Sequence, residues 1–115
     1  MHRFSGGEKM EENKNWKSIV NKVRAEVTEN YSQLYSSLEF GAYIEPENYF
    51  VSYIFKTENE LKDAETSGLL KEIENYHIEK MREYGYPEEG IRECVFASQE
   101  ECDRDYKGNW YYYYK

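Results

Sequence analysis

Several residue types that would point to a particular class of protein are scarce in this chain. Cysteine and proline each occur twice among 115 residues, and no apolar run has the length of a signal peptide or a transmembrane helix. Because the two cysteines, Cys94 and Cys102, are too few for a disulfide framework, we expect both thiols to be reduced. The sequence therefore predicts a cytoplasmic protein that does not associate with a membrane.

Basic residues are also few. The chain has 15 Lys and Arg against 23 Asp and Glu, which gives a formal net charge of −8. A surface with this charge repels nucleic-acid phosphates and anionic lipid headgroups, and it attracts basic proteins and cations. We therefore expect a basic protein as partner, and no nucleic acid.

Aromatic residues are abundant by contrast. The chain contains 13 Tyr, 5 Phe and 2 Trp, which supply the bulky side chains that disordered chains lack. A length of 115 residues fits one domain that buries roughly two thirds of its unfolded surface. Five consecutive aromatic residues, at positions 110–114, form the most unusual stretch of the sequence.

The first nine residues differ in character from the rest. They precede a second methionine, Met10, and residues 5–9 back-translate naturally to a purine-rich bacterial ribosome-binding sequence. We predict that Met10 is the native start and that residues 1–9 are a flexible translated leader or an expression scar. Residues 10–115 are then expected to form a single α+β domain.

The first half of the chain alternates between helical and strand patterns. Apolar residues spaced by three and four predict a helix over residues 15–37, and a period of two predicts a hairpin from strands 38–44 and 49–56. Thr57 begins a capping box that opens a second helical stretch, which Gly68 kinks or breaks and Gly85 ends.

The second half repeats this punctuation on a smaller scale. Residues 91–97 predict a strand, Ser98 begins a capping box for a short helix to Tyr106, and Gly108 ends that helix. Residues 109–114 are predicted to be the last strand. The expected fold is α+β, with a mixed four-stranded sheet, two long helices on one face, and the order α-β-β-α-β-short α-β.

The sequence contains no complete metal-ligand pattern. The segment from Asp103 to Gly108 superficially resembles the start of a calcium loop, but Lys107 and Tyr114 occupy positions where oxygen ligands are required. The cysteines and histidines lack the paired spacing of zinc sites. We therefore expect neither a metal nor a cofactor.

A cysteine nucleophile with a histidine base is the sharpest enzyme hypothesis, using Cys94 or Cys102 with His77. The acidic neighbours of Cys102 should raise its pKa, which disfavours the thiolate. His77 is in helical step with Ile73 and Met81, a pattern typical of a histidine packed between helix and sheet. We expect no enzyme, and we keep a small-ligand domain or enzyme with a cleft near His77 as the alternative.

The aromatic run offers a protein-binding surface. In a strand, Trp110, Tyr112 and Tyr114 would face one side, and Tyr111 and Tyr113 the other. One set would fill the core, and the other would either cover the outer face of the sheet or form an exposed patch ringed by acids. The residues predicted for this binding patch are Tyr43, Tyr53, Glu100, Glu101, Asp103, Asp105, Tyr111 and Tyr113.

These patterns favour a small acidic intracellular domain that binds a more basic protein. By analogy of size and charge alone, an immunity-type inhibitor of a basic toxin or nuclease would have this character. A second alternative is a structural homodimer joined through the last strand, because an aromatic edge strand invites self-pairing. The sequence leaves open whether the chain is a monomer or a homodimer.

Overall fold

The computed structural model describes residues 4–41 and 45–115, with side chains from Trp16 onward, as helices packed around a small sheet. The helices are α1 (Phe4–Asn30), α2 (Glu58–Ser67), α3 (Leu69–Glu83), α4 (Gln99–Tyr106) and α5 (Trp110–Tyr113). The strands are β1 (Ser36–Phe40), β2 (Phe50–Phe55) and β3 (Val95–Ser98), and short 3-10 turns cover Pro46–Asn48 and Glu88–Gly90.

Over these residues the sheet has three strands, in the order β1-β2-β3. β1 and β2 are antiparallel, with Phe40 opposite Phe50, whereas β2 and β3 are parallel, with Ser52 opposite Val95. The prediction of an α+β fold with a mixed sheet is therefore confirmed. The prediction of a fourth strand is wrong, because residues 110–113 are helical.

The main core lies between one face of β2 and the long helices. Alternate residues of a strand share a face, so Val51, Tyr53 and Phe55 point to the same side. The side chains buried with them include Val20, Val23 and Val27 of α1 and Ile73 and Met81 of α3. α1 and α3 therefore both pack over this face of the sheet.

The other face of β2 is covered by the end of the chain. Tyr114 packs edge-on against Phe50 at a ring distance of 4.9 Å, and its hydroxyl lies 2.5 Å from the hydroxyl of Ser52. Ile54 on this face and Cys102 of α4 are both fully buried. The aromatic C-terminal segment thus gives the second face of the sheet its cover, as a helix rather than as a strand.

The local helix signals are largely confirmed. Thr57 forms a capping box with Glu60, and the side chain of Ser98 accepts the backbone N–H of Glu101. Gly68 adopts a left-handed φ of 87° and separates α2 from α3. Glycine suits this position because a residue with a Cβ rarely takes this conformation.

The first helix ends earlier than its pattern predicts. The predicted range was 15–37, but α1 runs from Phe4 to Asn30 and β1 already begins at Ser36. Tyr35 donates its backbone N–H to Ile54 at 2.8 Å, which places it beside the sheet. Leu34 and Leu38 continued the helical spacing by coincidence, so periodicity alone extended the helix too far.

The predicted last strand is the clearest correction. The side chain of Asn109 accepts the backbone N–H of Tyr112 at 3.2 Å and caps α5, after left-handed conformations at Lys107 and Gly108 turn the chain. Aromatic residues favour strands in general, but here the cap and the packing against the sheet outweigh that preference. A homodimer paired through this segment as a strand therefore loses its basis, and the edges of the observed sheet are β1 and β3.

Candidate protein-binding surface

α5 divides the aromatic run into an inner and an outer set. Trp110, Tyr113 and Tyr114 recur at helical spacing and contact one another, with the Trp110 and Tyr113 rings 4.9 Å apart. Tyr111 and Tyr112 point outward, with 63% and 56% of their surface exposed. The outward pair is therefore consecutive in sequence, whereas a strand would have placed alternate residues together.

The outward face of α5 borders a groove that we call the aromatic groove. It has a volume of about 400 Å³ and is lined by Phe40, Phe50, Tyr111, Tyr114 and Lys115. Phe40 and Phe50 are cross-strand partners whose rings stack at 6.0 Å. Because Phe40 is 40% exposed, the end of the β1–β2 hairpin and α5 together present aromatic surface to solvent.

A lysine is seated on the outward tyrosines. The ammonium of Lys115 lies 5.6 Å from the ring centroids of both Tyr111 and Tyr112. These two rings pack edge to face at 5.4 Å. The two distances from the Lys115 ammonium to the ring centroids fall within the range in which a cation is attracted to the face of an aromatic ring.

The acidic part of the surface is α4. Its eight residues include four acids, of which Glu100, Asp103 and Asp105 are exposed, and one base, Arg104. Arg104 contacts Asp105 at 3.0 Å and reaches Glu58 of α2 at 2.7 Å. Its hydrogen bonds hold the pKa values of Glu58 and Asp105 below their usual range, so these carboxylates keep their charge in more acidic solution than unpaired carboxylates do.

The structure brings together only some of the residues predicted for the binding patch. Tyr113 donates its hydroxyl to Glu101 at 2.7 Å, which links α5 to α4. Tyr113 is half-buried and does not share a face with Tyr111. Tyr53 is fully buried in the main core and has no surface to offer a partner, and Tyr43 lies outside the residues that the structure describes.

Sequence reasoning missed four residues of this surface. Tyr112 and Lys115 were missed because a period of two was applied to residues 109–114. A helical period places Trp110, Tyr113 and Tyr114 on one side and leaves Tyr111, Tyr112 and Lys115 on the other. Phe40 and Phe50 were assigned to strands correctly, but nothing local indicates that α5 leaves them beside a groove.

His77 lies in the core, with each of its ring nitrogens facing a tyrosine hydroxyl. It is fully buried, and its Nδ1 accepts the hydroxyl of Tyr53 at 2.9 Å. The Tyr49 hydroxyl donates to the carbonyl of Arg92 and accepts its N–H, both at 2.8 Å, so it can only accept from Nε2 of His77, 3.4 Å away. This network assigns the Nε2–H tautomer, and burial lowers the pKa of His77 to about 4.

The two thiols are buried as well. Burial, followed by the charge of Glu74, raises the pKa of Cys94 to about 12. Burial and the neighbouring Asp103 and Glu101 also raise the pKa of Cys102. Both thiols are therefore protonated at neutral pH, and their environment does not favour a cysteine nucleophile paired with His77.

In residues 4–41 and 45–115, no helix combines the length and apolar character needed to cross a membrane. Within the same ranges, no group of three or more His, Cys, Asp or Glu side chains is placed to hold a metal ion. Comparisons with protein-family models, curated proteins and solved structures found no match for this chain.

Proposed function

We propose that this chain is a small acidic intracellular domain that binds a basic protein, using the aromatic groove for anchoring and α4 for electrostatic attraction. The observation that carries the proposal is the exposure of Tyr111 and Tyr112, at 63% and 56%, beside the partly exposed Phe40. Large aromatic rings clustered on a surface are typical of protein-binding sites.

Tyrosine suits such a role because its ring buries a large apolar area and its hydroxyl still finds a partner in a wet interface. The outward rings of α5 are held on a short helix that Tyr114 and Tyr113 tie to Ser52 and Glu101. A partner would therefore meet rings that are already positioned, which reduces the conformational entropy lost on binding.

α4 and the start of α2 supply the charge. Glu58, Glu60 and Asp63 of α2 are exposed, like the acids of α4, and Glu100 accepts the N–H of Glu58 at 2.8 Å. These carboxylates increase the rate of encounter with a basic surface, and dissolved salt screens the effect. An immunity-type inhibitor of a basic toxin or nuclease is a specific form of this proposal, supported by size and net charge.

Paired affinity captures from a lysate of the source cell test the proposal. The immobilised wild-type protein is expected to retain a protein of basic isoelectric point at about 50 mM salt and to release it at about 300 mM salt. The variant Tyr111→Ala/Tyr112→Ala should lose that protein, and the control charge variant Glu79→Gln, at an exposed position of α3, should retain it. Equal retention by wild type and tyrosine variant would contradict the proposal.

A further inference from the structure

We propose that the aromatic groove is a receptor for one basic side chain, an arginine or lysine of the partner, and that Lys115 occupies this position in the free protein. The inference rests on the proposed function and specifies the chemistry of its anchor. The observation behind it is a contact within the chain: the Lys115 ammonium lies 5.6 Å from the ring centroids of both Tyr111 and Tyr112.

The groove offers mainly ring faces, and the hydroxyl of Tyr111 is a hydrogen-bonding group among them. Its lining contains four aromatic residues and Lys115, and no Asp or Glu. The hydroxyl of Tyr114 is already engaged with Ser52. A neutral polar side chain would gain little here, whereas a cation is attracted by the negative faces of the rings.

The groove also fits the long stem of a basic side chain. Phe40 and Phe50, whose rings stack, line the groove from the hairpin, and Tyr111 lines it from α5. The methylene groups of arginine or lysine pack along such apolar surface while the charged group stays at its edge. The net charge of −8 favours the approach of a cation to any part of this surface.

If Lys115 occupies the position in the free protein, it competes with an incoming cation. Removing its charge by Lys115→Gln should therefore tighten the binding of an external cation. Because an exposed contact between a cation and a ring is worth about two- to fivefold in affinity, we expect Lys115→Gln to bind the external cation about two- to fivefold more tightly than the wild type.

The test is an NMR titration with N-acetyl-arginine methylamide, followed through the ring signals of Tyr111 and Tyr112. Its neutral isostere, the citrulline analogue, is the matched control ligand. The arginine compound is expected to shift both ring signals saturably, more weakly in wild type than in Lys115→Gln, and the citrulline compound should not. Equal responses to the two compounds, or no gain in Lys115→Gln, would overturn the inference.

Two tyrosine variants separate the ring faces from simple apolar bulk. Tyr111→Phe/Tyr112→Phe keeps the rings and should still bind the arginine compound, as followed by the backbone amide signals of α5. Tyr111→Leu/Tyr112→Leu keeps apolar volume and should lose that binding; retained binding would contradict the inference. If the arginine compound does not bind but a basic protein is still captured in a salt-dependent way, only this inference is contradicted. If the arginine compound binds but no basic protein is captured, only the proposed function is contradicted.

Discussion

At the scale of single residues, His77 is of a type that often acts as a catalytic base, but here it is fully buried and hydrogen-bonded in the core. Both of its ring nitrogens face tyrosine hydroxyls, at 2.9 Å from Tyr53 and 3.4 Å from Tyr49. The sequence predicted a histidine packed between helix and sheet from its step with Ile73 and Met81. The two tyrosine partners could not be predicted, because they come from β2 and the residue before it through long-range packing.

The burial of His77 should make the protein sensitive to mild acid. Its pKa is about 4 in the folded protein and about 6.5 when unfolded, so the unfolded chain binds more protons between these values. The free energy of unfolding should be fully retained above pH ~6.5 and fall by up to about 3 kcal/mol as the pH is lowered to ~4. Urea unfolding at a series of pH values measures this loss.

His77→Gln provides the control for this prediction. A glutamine does not titrate, so the variant should be less stable at neutral pH but should lose the pH dependence between about 5 and 6.5, where most carboxylates are still ionised. The same slope in the variant and the wild type would show that other groups cause the acid sensitivity.

The cysteines lead to a second prediction at this scale. Because burial raises the pKa values of Cys94 and Cys102, a disulfide reagent such as Ellman's reagent should label neither thiol quickly at pH ~7 in the native protein. Both should react rapidly once denaturant unfolds the chain. Fast labelling of the native protein would instead revive the enzyme alternative near His77.

At the scale of elements, capping signals predicted where α2 and α4 start, whereas periodicity misplaced the end of α1 and aromatic composition gave the wrong element type for residues 110–113. The caps at Thr57 and Ser98 and the break at Gly68 were predictable because each depends on residues a few positions apart. The helix at residues 110–113 also has a local cap, at Asn109, but the contact of Tyr114 with Ser52 across the fold could not be predicted. The aromatic composition indicated a strand, and tertiary packing decided otherwise.

The cap of α2 can be tested against a matched substitution in the same helix. Thr57→Ala removes the acceptor of the Glu60 N–H and should lower the free energy of unfolding by about 1 kcal/mol. Thr66→Ala removes only an exposed hydroxyl that donates to Lys62, and it should change stability by less than about 0.5 kcal/mol. Equal effects in denaturant unfolding would contradict the assigned cap.

At the scale of the whole molecule, the acidic residues and the aromatic run lie on two adjacent helices, α4 and α5. The acids of α4 and the tyrosines Tyr111 and Tyr113 were predicted as one patch, and the contact between Tyr113 and Glu101 joins α4 to α5. The outward rings, however, are Tyr111 and Tyr112, with the hairpin residues Phe40 and Phe50 beside them. Net charge and composition predicted the kind of surface, but the position of its rings required the fold.

The most direct test of the proposed function is the dissociation constant of the captured basic partner, measured by calorimetry at about 50 mM and about 300 mM salt. The proposal predicts that Glu100→Gln/Asp103→Asn weakens binding about two- to tenfold at low salt and much less at high salt. Tyr111→Ala/Tyr112→Ala should weaken it at least about tenfold at both, and the control variant Glu79→Gln, at an exposed position of α3, should have little effect. Binding that is insensitive to salt and unchanged in the first two variants would contradict the account.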